Sequence, residues 1–334
     1  MFCLGSGSQP PAWENSMDRI ALIVGATGGI GSETARALLL RGWTVRALNR
    51  DPEKAALRLA SLGDIVWLEG DAMNQADVVR AAAGASLVVH AANPPGYQNW
   101  QGLQLPMLES SIAAAKAAGA RLVFPGTVYN FGVDALPVIS ESSPQHPSTR
   151  KGAIRVAMEE RLAQASRDGV RVLVVRAGDF FGGAATTSSW FAQLVKPGKS
   201  LRSVTYPGKR GVGHAWAYLP DLGETIARLV EREADLAQFE SFHFGGHWFE
   251  QGEQIADATR RAADVPDAPI RRFPWFALYL LSPFVAVFRE VLEMRYLWTT
   301  PVKLDNRKLV RFLGQEPHTD LDTALRRTLR GMGC

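Results

Sequence analysis

Six short apolar runs, at 20–24, 44–49, 64–68, 86–90, 121–125 and 171–176, mark the first half of the chain. They are rich in Val, Ile and Leu and lack strict polar alternation, the pattern of strands buried on both faces. Between them lie stretches with helical spacing, at 32–41, 52–61, 75–82, 102–118 and 154–167. Gly42, Gly63, Gly84, Gly119 and Gly169 each stand after a helix and before a strand. Glycine tolerates the left-handed conformation that ends many helices. The alternation predicts an α/β fold, a doubly wound parallel sheet of the Rossmann type.

After about residue 178 the rhythm breaks. A helix over 221–232 and a strand over 241–244 that returns to the sheet are expected, followed by a helical, aromatic C-terminus. Trp190, Trp216, Trp248, Trp275 and Trp298 all fall in this half. The reading is a flexible tail over 1–17, a nucleotide-binding domain over 18–178, and a mainly substrate-binding subdomain over 179–334. The apolar stretch 273–288 contains Pro274 and Pro283. It is shorter than the roughly 20 residues of a spanning helix, so it predicts a buried or lid helix, and no membrane partner is expected.

Charge sharpens the picture by exclusion. The formal net charge is only +4, and Lys and Arg are interspersed with Asp and Glu. A nucleic-acid surface would concentrate its cations on one face or arm, so none is expected. The two cysteines, Cys3 and Cys334, sit at opposite ends without a ligand cluster. Neither a disulfide framework nor a metal site is expected, and a reducing cytoplasm fits that usage.

The strongest motif is Gly25-Ala26-Thr27-Gly28-Gly29-Ile30-Gly31, between the first strand and the first helix. One glycine permits the tight turn, one lets backbone N–H groups approach a pyrophosphate, and one allows close helix–strand packing. The start of the helix adds unpaired N–H groups and a partial positive charge. The second strand ends in Asn49-Arg50-Asp51. A carboxylate here would hold the ribose hydroxyls of NAD, whereas Arg50 beside Asn49 can grip a 2′-phosphate. NADP(H) is therefore the expected cofactor, with NAD open because Asp51 stands next to Arg50.

Together these residues resemble the short-chain dehydrogenase/reductase superfamily, in its extended and atypical branches related to nucleotide-sugar epimerases and dehydratases. Gly70-Asp71-Ala72 is similar to the segment whose Asp contacts the adenine. His90-Ala91-Ala92-Asn93 resembles the segment under the adenosine ribose. Arg176-Ala177-Gly178-Asp179-Phe180 resembles the loop that flanks the nicotinamide. The resemblance implies cofactor contacts from Asp71, Ala72, Ala91, Ala92, Asn93, Ala177, Gly178 and Phe180. It also implies a homodimer through the helices at 102–118 and 154–167, and a small-molecule substrate.

The catalytic motif departs from the pattern. Thr127 falls at the position of the family's Ser or Thr, whose hydroxyl can donate to a substrate oxygen as it gains charge. Counting from Glu159, the places of the expected Tyr and Lys hold Lys151 and Arg155. These lie four apart, on one helical face. An ammonium holds its proton about as tightly as a phenol, so Lys151 could act as general acid while Arg155 holds the ribose. Three readings stay open: catalysis by Lys151, another donor with Tyr129 leading, or a cofactor-binding sensor that has lost turnover. An epimerase or dehydratase with retained cofactor is a further alternative. His214 stands where the extended family carries an Arg for the substrate diphosphate, and His146 reads as a structural loop histidine.

Overall fold

A computed structural model describes residues 19–94, 99–183 and 189–334; the tail expected over 1–17 lies outside the described residues. The first half alternates β1 (Ile20–Val24), α1 (Gly29–Leu39), β2 (Thr44–Asn49), α2 (Pro52–Arg58) and β3 (Ile65–Glu69) with α3 (Gln75–Ala81), β4 (Leu87–His90), α4 (Trp100–Ala118) and β5 (Arg121–Thr127). A short β6 (Val138–Ile139), α5 (Arg150–Arg167) and β7 (Val172–Ala177) complete it. The second half carries β8 (Asp179–Phe181), α6 (Phe191–Leu194), β9 (Val204–Tyr206), β10 (His214–Tyr218), α7 (Leu219–Glu231), β11 (Phe239–His243) and β12 (His247–Phe249). It ends with α8 (Gln254–Ala262), β13 (Ile270–Arg272), α9 (Trp275–Leu281), α10 (Ala286–Glu293), β14 (Lys303–Leu304), α11 (Arg307–Leu313) and α12 (Leu321–Gly331).

Seven parallel strands form the central sheet, in the order β11-β7-β5-β4-β1-β2-β3. This is the Rossmann-type sheet that the apolar runs predict. Ala21, Leu22 and Ile23 of β1 are wholly buried. Ala21 and Ile23 pack with Leu38 of α1 and Leu222 and Ile226 of α7. Leu22 packs on the other face with Leu108 of α4 and Met158 and Leu162 of α5. Burial on both faces removes the pressure for polar alternation, which is why the strands read as continuous apolar runs.

A third cluster builds the C-terminal lobe around Phe181, Phe191, Trp216 and Trp298. The order of the sheet reverses between β1 and β4. Loops leaving the carboxyl ends of two such strands diverge and leave a crevice, where open α/β sheets bind ligands. The expected helix over 273–288 is instead two short helices, α9 and α10. Their inner side closes on the lobe while their outer side stays exposed. Pro274 stands at the start of α9 and Pro283 lies between the two.

Candidate active site

The crevice opens where β1 gives way to the loop 25–31. Gly25 has φ +95°, and a Cβ on it would lie 2.5 Å from the Ala92 nitrogen and 2.6 Å from the Ala91 carbonyl. A Cβ on Gly31 would lie 2.3 Å from the Gly25 oxygen. The turn closes with the Gly28 N–H donating to the Gly25 carbonyl (3.0 Å). Helix α1 begins at Gly29, and its cap, Gly28, offers no side-chain hydrogen bond. The first turn holds no acidic residue. Its N–H groups therefore face the crevice as an anion cradle, with Thr27, Gly28, Gly29 and Ile30 partly exposed around it. A pyrophosphate fits this donor set.

At the end of β2 the side chains divide their tasks. Asn49 Oδ1 accepts the Asp51 N–H (2.9 Å), and Asp51 caps α2 by accepting from the Lys54 N–H (3.0 Å). Asp51 is thus committed to its helix. Arg50 is exposed and makes no ion pair or hydrogen bond among the described residues. Asp71 Oδ1 accepts the Met73 N–H (2.9 Å), which shapes the turn that carries Ala72. The Ala91 N–H donates to the Val24 carbonyl (2.8 Å), and Asn93 Oδ1 accepts from the buried Gln104 (2.5 Å). On the far side Ala177 is buried, Phe180 packs against the sheet core, and a Cβ on Gly178 would lie 2.5 Å from the Ala215 oxygen.

Thr127 ends β5, and its hydroxyl accepts the Tyr129 N–H (3.3 Å) and contacts Asn130 Oδ1 at 3.5 Å. The first turn of α5 rests directly on this loop: a Cβ on Gly152 would lie 2.3 Å from the Tyr129 carbonyl oxygen. Thr149 caps α5 through the Gly152 N–H (3.0 Å), which starts the helix at Arg150 and puts Lys151 in its first turn. One turn on, the Arg155 guanidinium lies over the rings of Trp100 (5.0 Å) and Phe124 (5.5 Å). It therefore sits beside the segment that begins at His90, where a ribose is expected.

Lys151 is not open to the crevice as a bare cation. Only 2% of its side chain is exposed, and its ammonium donates to Glu290 Oε2 and to Glu293 Oε2 (2.9 Å). The Lys151 N–H donates to Glu293 Oε1 (3.0 Å). Burial alone would raise the Glu293 carboxyl, but these bonds, with the charges of Lys151 and Arg150, hold it below the ordinary carboxylate range. Neither glutamate could be placed here from sequence. Both come from α10, far along the chain.

Two histidines behind the site are buried and neutral. Burial first, then the Arg155 charge, lowers His90 to about 3. Burial and then Arg176 lower His243 to about 3 as well. His243 belongs to a buried polar chain that runs Asn130–Gln145–Glu159–Arg176–His243 beneath the Thr127 loop. An unfolded chain protonates these imidazoles near 6.5, whereas the folded one does so only near 3. Stability is therefore full above pH 6.5 and falls as pH drops through that window, by about 1.4 kcal/mol per pH unit for each histidine at most. In urea melts at stepped pH, His243→Gln is expected to flatten the slope.

Beside the Thr127 loop the described residues enclose only a small space. A cavity of about 10 Å³ lies between Val128, Gly178, Asp179, His214, Leu297 and Val302. His214 bonds Asp179 Oδ2 through Nε2 (2.8 Å), and its ring stacks on Trp298 at 4.1 Å with an 11° interplanar angle. His214 and Asp179 stand 35 residues apart, and nothing in the sequence pairs them. His146 is exposed and bonds Asp134 (2.7 Å), away from the cavity lining. A larger open groove of about 890 Å³ follows the edge strand β11 and shares no residue with the loop 25–31. Chemistry, not volume, therefore places the site.

Solved structures share this architecture. UDP-glucose 4-epimerase from Bifidobacterium longum, solved with NAD+ and UDP, superposes with a TM-score of 0.72 at 15% identity, covering 93% of this chain and 97% of that one. UDP-glucose 4-epimerase from Stenotrophomonas maltophila, with bound NAD and formylated UDP-arabinopyranose, gives 0.73 at 17% identity, covering 94% and 98%. UDP-Glc/GlcNAc 4-epimerase from Campylobacter jejuni gives 0.69 at 18% identity, covering 94% and 98%. At these identities the likeness speaks for the fold. No curated protein matches the chain. The sequence profile of the NAD dependent epimerase/dehydratase family matches residues 21–245, two-thirds of the length. With its glycine cradle at the turning point of a seven-stranded parallel sheet, the chain belongs to the NAD-dependent epimerase/dehydratase family.

Proposed function

We propose that this protein is an NADP(H)-dependent oxidoreductase of the atypical extended short-chain dehydrogenase/reductase type. Its substrate is a small molecule with a carbonyl or alcohol carbon held beside Thr127. The observation that carries the reading is the uncapped start of α1 behind Gly25 and Gly28, with an exposed Arg50 at the end of β2 that is unpaired among the described residues. The nicotinamide, when bound, supplies the hydride or accepts it. The chain's own residues do the rest. The amides of 28–31 hold the pyrophosphate, Arg50 the 2′-phosphate, and Arg155 the ribose beside Ala91 and Ala92. Thr127 exchanges its long contact with Asn130 for a substrate oxygen, and Lys151 moves the proton at that oxygen. A homodimer through α4 and α5 is part of this reading, and light scattering checks it.

The His214–Asp179 pair bears on the substrate. Where the resemblance expects a cation for a diphosphate, an imidazole is bonded to a carboxylate and stacked on Trp298. That arrangement favours a substrate with less charge than a nucleotide sugar. Stopped-flow oxidation of bound NADPH against aldehydes, ketones and nucleotide sugars tests this. Turnover with an uncharged carbonyl supports it. No oxidation with any member leaves the sensor reading, which the locked Lys151 favours. The named neighbours favour a second catalytic reading, an epimerase or dehydratase that retains its cofactor. That reading predicts nicotinamide released when the purified protein is denatured.

Cofactor choice gives a separate prediction. Arg50→Ala is expected to weaken NADPH by about tenfold or more and leave NADH within about twofold, as loss of one charge-assisted phosphate contact implies. Fluorescence titration of the two reduced cofactors measures it. Equal effects on both would remove Arg50 from the 2′-phosphate site.

A further inference from the structure

Half of the large hydrophobic residues exposed among the described residues fall within twelve consecutive positions, from Phe276 to Val287. Phe284 is 84% exposed, Phe276 75% and Leu280 60%. Single exposed hydrophobes are ordinary, but a contiguous patch marks a contact surface. This one does not come from loose ends. Trp275 donates through Nε1 to the Pro207 carbonyl (2.7 Å) and packs against Trp190 at 6.1 Å, and Leu278 is buried. Arg295 bonds the Tyr279 hydroxyl (3.0 Å) and covers its ring. The inner side of the α9–α10 hairpin is therefore fixed to the lobe while the outer side presents aromatic and aliphatic groups to water.

Along the chain, the charges that flank the patch from Arg271 to Arg289 have one sign. Arg271, Arg272 and Arg289 bound it, and no Asp or Glu lies between them. Arg271 and Arg272 are exposed. Arg289 donates to the Ser282 and Pro283 carbonyls (3.1 and 3.3 Å), which places its guanidinium at the turn that carries Phe284. The next acids, Glu290 and Glu293, bond Lys151 on the inner side. A second copy of this face would set arginines against arginines across a two-fold axis, which is unfavourable. An anionic lipid surface answers both features, with headgroups for the arginines and acyl chains for the rings. Among the described residues no helix is long and apolar enough to cross a membrane, so the contact lies in the interface plane.

We propose that the α9–α10 hairpin docks this protein onto anionic bilayers, with Phe276 and Phe284 entering the acyl boundary and Arg271, Arg272 and Arg289 at the headgroups. The docking helix α10 also holds Lys151, so the candidate site lies beside the lipid surface.

Sedimentation of the purified full chain with sucrose-loaded vesicles tests this. One set is phosphatidylcholine alone and the other contains phosphatidylglycerol. The protein is expected to pellet with the anionic vesicles, less so at high salt, and little with phosphatidylcholine alone. The double variant Phe276→Ser/Phe284→Ser is expected to partition about tenfold more weakly or worse while keeping its melting temperature and NADPH affinity. Three results would overturn the proposal. They are no pelleting with anionic vesicles above the protein-only control, equal pelleting of wild type and double variant, or a wild-type dimer that the double variant turns into a monomer. The last would make the patch an interface between copies.

Discussion

Gly25→Ala is expected to raise the dissociation constant for NADPH by about 100-fold or more, which corresponds to roughly 2.7 kcal/mol. Two physical terms add. At φ +95° an L residue is strained, at a cost of about 1–2 kcal/mol. The new Cβ would also stand 2.5 Å from the Ala92 nitrogen and 2.6 Å from the Ala91 carbonyl, both backbone atoms with no free rotation to escape. Either the glycine loop or the segment after β4 must move, and both form walls of the nucleotide crevice. Stability in urea is expected to fall by about 2 kcal/mol as well, so Gly28→Ala is the control. Gly28 has φ −82°, and its Cβ would meet only the Gly25 oxygen, at 3.3 Å. This variant keeps its fold, yet it places a methyl at the uncapped start of α1 and is expected to bind NADPH more weakly. NADPH bound by Gly25→Ala as tightly as by wild type would contradict the cradle.

The sheet was legible in the sequence because its information is local. β1 and β2 run over Ile20–Val24 and Thr44–Asn49, as their apolar runs predict. The other sheet strands of the first half shift by one or two residues at their ends. Helix starts were less legible. The expected onset at 32 is Gly29, because Gly28 caps α1 without a side chain to signal it. The helix expected from 154 starts four residues earlier, at Arg150, because Thr149 closes a capping turn just before it.

The candidate site shows the same division. The glycine loop is contiguous and could be read directly. Lys151 meets partners 139 and 142 residues away, and no periodicity carries that pairing. His214 and Asp179 approach only because β10 pairs with β8, with Trp216 opposite Asp179. The stretch 273–288 defeated the pattern for another reason. A run that is apolar throughout has no period, so nothing in it says which side turns inward.

Lys151→Met separates a proton donor from a structural cation. Methionine fills much of the space of lysine but leaves Glu293, 12% exposed, and Glu290, 28% exposed, without the ammonium. Removing one partner of a buried ion pair costs about 3–5 kcal/mol. Glu290 can turn toward solvent, so about 2–3 kcal/mol is the expected loss at neutral pH. Its pH dependence has a definite sign. The folded Glu293 carboxyl titrates below its ordinary value of 4.5 because of Lys151. Its contribution is therefore complete above that value and disappears as pH falls through the lower, folded one. In Lys151→Met only the Arg150 charge and the backbone N–H at position 151 still oppose burial, and the carboxyl takes up its proton earlier. The stability gap between wild type and variant should then be widest near pH 7 and narrow below roughly pH 4, as urea midpoints would record. Turnover is the second readout. Loss of a general acid lowers it by about 10² to 10⁴ while NADPH affinity is kept, since Arg155 and the glycine loop are untouched. If the stability gap appears but turnover survives, Lys151 only anchors α10 to α5. The proton must then come from another group, and Tyr129→Phe becomes the variant expected to lose activity.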